Sequence, residues 1–249
     1  MNYKALVIDV DGTLIASEDA MPSKQVKETI IQLQKNRKIH IAIATARPFK
    51  NIKRICKELQ LSGYAIVSGG AQLINIQTGN YYYEYPLDYD HTITICRLIK
   101  ALNSDIRIWI QDDGVDYVFS EFYKPYKPFV IVATALTDKV ADGIINRLSS
   151  LSGFFYTKVS CWEKGSYDIH ITHEKATKQH GIETLAGIWE ISKEEIIGIG
   201  DGYNDYNLLQ ASGLKIAMGN AVDEIKKIAD YVAPSVDDDG LAIAINKYL

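Results

Sequence analysis

Ala5-Leu6-Val7-Ile8-Asp9-Val10-Asp11-Gly12-Thr13 runs from four apolar residues straight into two acids, a glycine and a hydroxyl. An unbroken apolar run of this length suits a strand buried on both faces of a parallel sheet. Two later stretches repeat the pattern: Ile39–Ala44 ends at Thr45, and Ile196–Ile199 ends at Gly200-Asp201. Helical patterns lie beside them. Met21-Pro22-Ser23 opens a segment with Val26, Ile30 and Leu33 on one face, and Pro48 opens another with Ile52, Ile55 and Leu59. Proline near a helix start and apolar spacings of three or four support both helices. The alternation predicts a doubly wound, mostly parallel α/β sheet. Ligands bind outside the carboxyl ends of such strands, so the three polar tips should converge.

The middle of the chain reads differently. A helix is expected over Asp90–Leu102, then strands at Ile106–Ile110, Val115–Phe119, Phe129–Ala133, Phe154–Ser160 and Tyr167–Ile171, with a helix near Lys139–Leu151. Hairpin-like strands with helices between them predict an α+β unit inserted into the α/β core. The alternation then resumes with a helix over Lys175–Trp189, the Ile196–Ile199 strand, a helix from Asn204 and a strand at Leu214–Ala217. Helices over Ala221–Ala229 and Leu241–Tyr248 complete it.

Composition narrows the function classes. The 249 residues are 47% hydrophobic and 23% charged, with a net charge of −4, which suits a folded protein and argues against a general nucleic-acid or polybasic membrane binder. Three widely spaced cysteines form neither a disulfide framework nor a metal knuckle and fit a reducing, cytoplasmic setting. No apolar run approaches the ~20 residues of a membrane span, and Asp9 interrupts the N-terminal run too soon for a signal-peptide core.

Asp9 and Asp11, at i and i+2 of an extended segment, point to the same side. Held that close they repel, and one would take a proton unless a cation sat between them. A hard divalent ion, Mg²⁺ by default, resolves the repulsion. An ionised Asp9 is then a competent nucleophile toward phosphorus, and Asp11 could protonate the leaving oxygen and later activate water. Gly12 lets the chain turn away sharply. The same five residues also suit an ordinary acidic turn. Thr45 at a helix start offers a hydroxyl and free N–H groups to a phosphate, or simply an N-cap. Asp201 supplies a further hard ligand, and Asn204 an amide donor, although a glycine-rich turn with a capped helix would read alike. Gly198, Gly200 and Gly202 miss the dinucleotide-binding spacing. A lysine on the helix before this last strand, Lys178 or Lys175, could screen charge between nucleophile and phosphate.

In this order, Asp9-Val10-Asp11-Gly12-Thr13, Thr45, a lysine, and Gly200-Asp201-x-x-Asn204-Asp205, the chain resembles the haloacid dehalogenase superfamily of phosphohydrolases. Thr45-Ala46-Arg47-Pro48, Gly69-Gly70-Ala71, Ala217-Met218-Gly219-Asn220-Ala221 and Asp239-Gly240 are similar to its Cof-type branch with a class IIB cap. The resemblance implies Asp9 as nucleophile and metal ligand, Asp11 as general acid/base giving its carbonyl to the metal, and Asp201 as third ligand. It implies that Thr45, Asn204 and the Val10 and Ala46 backbone hold phosphate, and its register selects Lys178 over Lys175. Asp205 would support the metal shell from behind, with Gly12 and Arg47 as supporting residues. Two departures stand out: Ser68 precedes Gly69-Gly70-Ala71 where the family often has Asn, and Gln179 follows Lys178 where a glycine is usual.

The motifs divide the chain into a core, residues 1–81 and 173–249, and a cap, residues 82–172. The expected activity is a Mg²⁺-dependent phosphatase acting through an aspartyl-phosphate on small phosphorylated metabolites, sugar phosphates or similar phosphomonoesters. The alternatives are a sugar phosphomutase of the same fold, a non-catalytic sugar-phosphate sensor and, more remotely, a receiver-like phospho-acceptor. Neither the substrate nor the oligomeric state is legible. His170, His173, Glu174 and His180 lack a metal-binding spacing. Phe122-Tyr123-Lys124-Pro125-Tyr126-Lys127-Pro128 reads as an exposed turn rather than a substrate loop, Tyr81–Tyr83 as a strand or linker, and Cys56 and Cys96 as buried helix residues.

Overall fold

The computed structural model describes residues 3–35, 39–161 and 165–249. The elements run β1 (Ala5–Ile8), α1 (Lys24–Lys35), β2 (His40–Ala44), α2 (Phe49–Glu58), β3 (Tyr64–Val67), β4 (Gln72–Asn75) and β5 (Tyr81–Glu84). Next come α3 (Tyr89–Leu102), β6 (Arg107–Asp112), β7 (Val115–Val118), β8 (Pro128–Leu136), α4 (Asp138–Leu148), β9 (Phe154–Ser160) and β10 (Tyr167–His173). The chain closes with α5 (Lys178–Trp189), β11 (Ile196–Gly200), α6 (Tyr206–Gln210), β12 (Leu214–Ala217), α7 (Asp223–Ile228), β13 (Tyr231–Val232) and α8 (Gly240–Tyr248).

Two sheets result. The first has the order β13-β12-β11-β1-β2-β3-β4-β5, parallel as far as β3 and antiparallel at β4 and β5. β1 lies at its centre, Ala5 opposite both Ile196 and His40. Its residues alternate between two cores. Leu6 and Ile8 join Ile43, Ile52 and Leu241, whereas Ala5 and Val7 join Ala44, Ile182 and Leu208. That double burial explains why the strand is apolar throughout. The second sheet, β7-β6-β8-β10-β9, is antiparallel. Ile108, Ile110, Ile131, Ala133 and Ile169 on one of its faces bury against Ile93, Cys96 and Ile99 of α3 and Ile144 of α4. The long β7–β8 connection is held by buried Asp112 at the end of β6, which accepts hydrogen bonds from the Tyr123 hydroxyl and from the Tyr126 (2.7 Å) and Lys127 (2.5 Å) amides. Phe122 and Tyr126 stay 95% and 86% exposed, so this is a solvent-facing turn.

α5 begins at Lys178, three residues later than the apolar pattern suggests, because Thr177 caps it by accepting a hydrogen bond from the His180 amide at 3.0 Å. Its Gly181 lies hard against β3: a Cβ there would come within 2.7 Å of the Ile66 side chain. Helix propensity alone gives Gly181→Ala a gain of about 1 kcal/mol, whereas overpacking a core costs about 1–3 kcal/mol. A net loss of stability is expected, read as a lower urea midpoint at unchanged slope; a rise would mean that Ile66 yields freely.

Candidate active site

The three polar tips converge as the parallel sheet requires. Asp9, directly after β1, is 3% exposed, and its Oδ1 accepts a hydrogen bond from Lys178 Nζ at 2.6 Å. The same ammonium donates to Asp205 Oδ1 at 2.6 Å. Asp205 Oδ2 accepts the backbone N–H groups of Asp201 and Gly202, both at 2.9 Å. Asp205 thus has both oxygens engaged and folds the loop after β11 around its own carboxylate. Thr13 Oγ1 donates to Asp201 Oδ1 at 2.9 Å, tying the β1 turn to that loop. Gly12 occupies the left-handed region at φ +81°, and a Cβ there would lie 2.2 Å from an Asp201 carboxylate oxygen. No other residue fits this turn. Asn220, which the sequence offers only as part of a longer motif, donates to the Gly12 carbonyl at 2.8 Å.

Charge is unbalanced in this cluster. Asp9, Asp201 and Asp205 each bring an oxygen within 4.8 Å of the others, the one such group among the described residues. Burial, reinforced by the charge of Asp205, pushes Asp9 well above the usual carboxylate range and Asp201 up to about 8. Lys178 is driven up by the Asp205 and Asp9 carboxylates, against burial. One ammonium cannot neutralise three acids, and an all-oxygen donor set suits a hard divalent cation. The Asp11 side chain lies outside the cluster. Arg47 holds it from Nε at 3.1 and 3.0 Å and from Nη2 at 2.5 Å, while Nη2 also reaches the Glu18 carbonyl at 3.0 Å. That leaves the Asp11 backbone, not its carboxylate, as the part available to a metal.

Thr45 is fully buried, and its Oγ1 accepts the Arg47 N–H at 3.1 Å. Ser68 and Gly69 donate their amides to the Arg47 and Thr45 carbonyls at 2.9 and 3.0 Å, strapping the two loops together. The Ser68 hydroxyl turns to Gln72 at 2.9 Å, so the residue that departs from the family pattern acts on the loop. Val10 is fully buried, which leaves only its backbone for a ligand. Asp11, Ala46, Arg47, Asp201 and Asn204 form the floor of a cleft of about 840 Å³. The second sheet forms its roof, through Trp109, Gln111, Val132 and His170 among others. His173 and His180 pack around Tyr85, whose hydroxyl lies 3.1 Å from His180 Nε2, and they belong to no metal-ligand group among the described residues. No helix of the described residues is long and apolar enough to cross a membrane.

Acids gathered at the carboxyl edge of a doubly wound sheet, under a second sheet, define a lidded α/β enzyme. The chain belongs to the haloacid dehalogenase-like hydrolases, whose family model matches residues 6–129 and 123–245. YxeH of Bacillus subtilis (strain 168), named as a candidate phosphatase, is 25% identical over 269 residues, covering 98% of this chain and 98% of that protein. A haloacid dehalogenase-like hydrolase structure from B. subtilis superposes with a TM-score of 0.85 at 21% identity, over 99% of this chain and 100% of the other. The subclass IIB sugar phosphatase BT4131 shares the fold with a TM-score of 0.80 at 20% identity, over 98% of each chain.

The raised acids predict a pH dependence. A carboxyl group whose folded pKa exceeds its unfolded value contributes stability at low pH that is lost as pH climbs toward the folded value. For Asp201 that window runs from 3.8 to about 8, and Asp9 acts with the same sign. Metal-free protein is expected to melt at progressively lower temperature across this range, and added Mg²⁺ to raise Tm more at pH 8 than at pH 5. A Mg²⁺ effect independent of pH would count against the cluster as a cation site. Removing the shared ammonium in Lys178→Met strands buried carboxylates, at a cost of about 3–5 kcal/mol in denaturant unfolding near neutral pH.

Proposed function

We propose that the protein is a Mg²⁺-dependent phosphomonoesterase that carries the phosphoryl group through Asp9 and acts on small phosphorylated metabolites, sugar phosphates among them. The observation that carries this reading is the buried Asp9 carboxylate, fixed by Lys178 beside Asp201 beneath a covered cleft. Asp9, Asp201 and the Asp11 backbone would hold the metal, whose positive charge keeps the acids ionised and offsets negative charge on the phosphoryl oxygens.

Asp9 adds an oxygen to phosphorus, the bond from phosphorus to the leaving oxygen breaks, and Asp11 gives that oxygen a proton. Asp11, now a carboxylate, takes a proton from water; the water oxygen bonds to phosphorus and Asp9 departs with its original charge. The Arg47 clamp on Asp11 has to release for either transfer, since the guanidinium holds both carboxylate oxygens. Lys178 orients the nucleophile and spreads positive charge toward the transferring group. Thr45, Asn204 and the Val10 and Ala46 backbone are assigned to the phosphate oxygens. Unaided hydrolysis of phosphate monoesters is so slow that these groups together must supply roughly 20 kcal/mol. Water exclusion therefore matters, and residues 82–172 would act as the cap, with 1–81 and 173–249 as the core. The cap would hinge near residues 81–87 and 168–174. Three free cysteines suit a cytoplasmic location.

Asp9→Asn is expected to cut phosphate release from p-nitrophenyl phosphate on the order of 10³-fold or more while circular dichroism stays native. Undiminished turnover in that variant would sink the mechanism. A panel of phosphorylated metabolites assayed with Mg²⁺ and with EDTA should give release only in the first arm.

A further inference from the structure

The second sheet buries one face under its helices and turns the other to the cleft. On the cleft side, Trp109 and Gln111 stand two residues apart on β6, and Asp116 of β7 lies directly opposite Gln111. Gln111 is 5% exposed and lines the cleft. Its Oε1 is the one buried side-chain polar atom among the described residues without a hydrogen-bond partner. Buried polar atoms are rarely left so, and the cleft is the side from which a donor can arrive. Asp116, beside it on the exposed strand β7, lines the same cleft, with the positive charge of Lys50 nearby.

The remaining charge at this end is also negative. Glu18, Asp168 and Asp237 line the same cleft. One Asp168 oxygen is already taken by the Ala135 amide at 3.0 Å and the Cys161 thiol at 3.0 Å. Arg47 is engaged with Asp11, and burial lowers the His170 imidazole, leaving it uncharged at neutral pH. The cleft thus offers acceptors and negative charge, with an indole face at Trp109 for carbon.

We propose that Gln111 and Asp116 form the subsite for the leaving group, and that this subsite takes a group bearing hydroxyl or amine donors and rejects one bearing a carboxylate or a second phosphate. The proposal rests on the phosphomonoesterase reading and adds the chemistry of what departs. An acceptor with no partner rewards a ligand N–H or O–H, and a nearby carboxylate penalises another anion.

Glucose 6-phosphate and 6-phosphogluconate differ at C1, remote from phosphate, where one carries the hydroxyl of a closed ring and the other the carboxylate of an open chain. The substitutions below, and not the parent ratio alone, therefore test the subsite. With Mg²⁺ present, the parent protein should favour the first at least tenfold in kcat/KM. Gln111→Met should lower kcat/KM for glucose 6-phosphate at least tenfold relative to p-nitrophenyl phosphate, chiefly through KM. Gln111→Glu, of the same shape and still an acceptor, should keep glucose 6-phosphate and reject 6-phosphogluconate more strongly. Asp116→Asn should shrink the discrimination about tenfold. Calorimetric titration of both sugar phosphates into the same substitutions on an Asp9→Asn background reads the selectivity without turnover. Selectivity that ignores Gln111 and Asp116 in both assays overturns the subsite. Selective binding with no hydrolysis of p-nitrophenyl phosphate by the parent overturns the phosphatase reading and leaves the subsite standing.

Discussion

One buried ammonium holds the functional end of the molecule together. Lys178 is 3% exposed and bonds to Asp9 and Asp205 at equal distance, so it joins the end of β1, the start of α5 and the loop after β11. Such a contact is favourable only if its partners are fixed, because a buried charge without its counter-charge is strongly destabilising. The structure fixes all three. β1 is held between two neighbours, α5 is capped by Thr177 and seated on Ile66, and the Asp205 carboxylate is pinned by two amides. Three acids around one base cannot all stay ionised unaided, so Asp9 and Asp201 hold their protons to raised pH. A cation that frees them as carboxylates would also offset the charge of an anionic substrate.

The division between floor and roof follows from the two sheets. The floor residues sit at strand ends and helix starts, where backbone groups are free and a few positions fix the whole geometry. The roof is the open face of an antiparallel sheet, where each second residue can change without disturbing the covered core behind it. Chemistry fixed below and selection adjustable above is a consistent use of those two kinds of surface.

Much of this was legible in the sequence. The central strands β1 and β11 announce themselves because burial on both faces removes polar residues. The inserted unit is visible in its succession of hairpin strands. By contrast β3, β4 and β13 escaped notice, β13 having two residues and β4 beginning with Gln72, while the tyrosines of β5, an exposed edge, read only as a strand or linker. Strands of two to four residues are too short to show a period that distinguishes them from turns. Asp9, Asp11, Thr45, Asp201 and Asn204 were readable because each follows an apolar run. The Arg47–Asp11 pair was not, since its side chains lie 36 positions apart. Asp205 was expected as a support behind the metal, and its hold on the Asp201 and Gly202 amides and on Lys178 is visible only in the structure. Gln111 was equally hidden. A polar residue alternating with isoleucines looks solvent-facing, and only the opposing floor makes it buried.

The ammonium and the acid it neutralises are 169 positions apart. During synthesis Asp9 therefore emerges long before its counter-charge exists, and the strand carrying it cannot settle at the sheet's centre until β11 arrives to flank it. The intervening unit, with its own core and nearby pairings, can condense meanwhile and bring the two halves within reach. Assembly of the acidic cluster is thus a terminal event, and a truncated chain would lack not one residue of the site but its electrostatic closure.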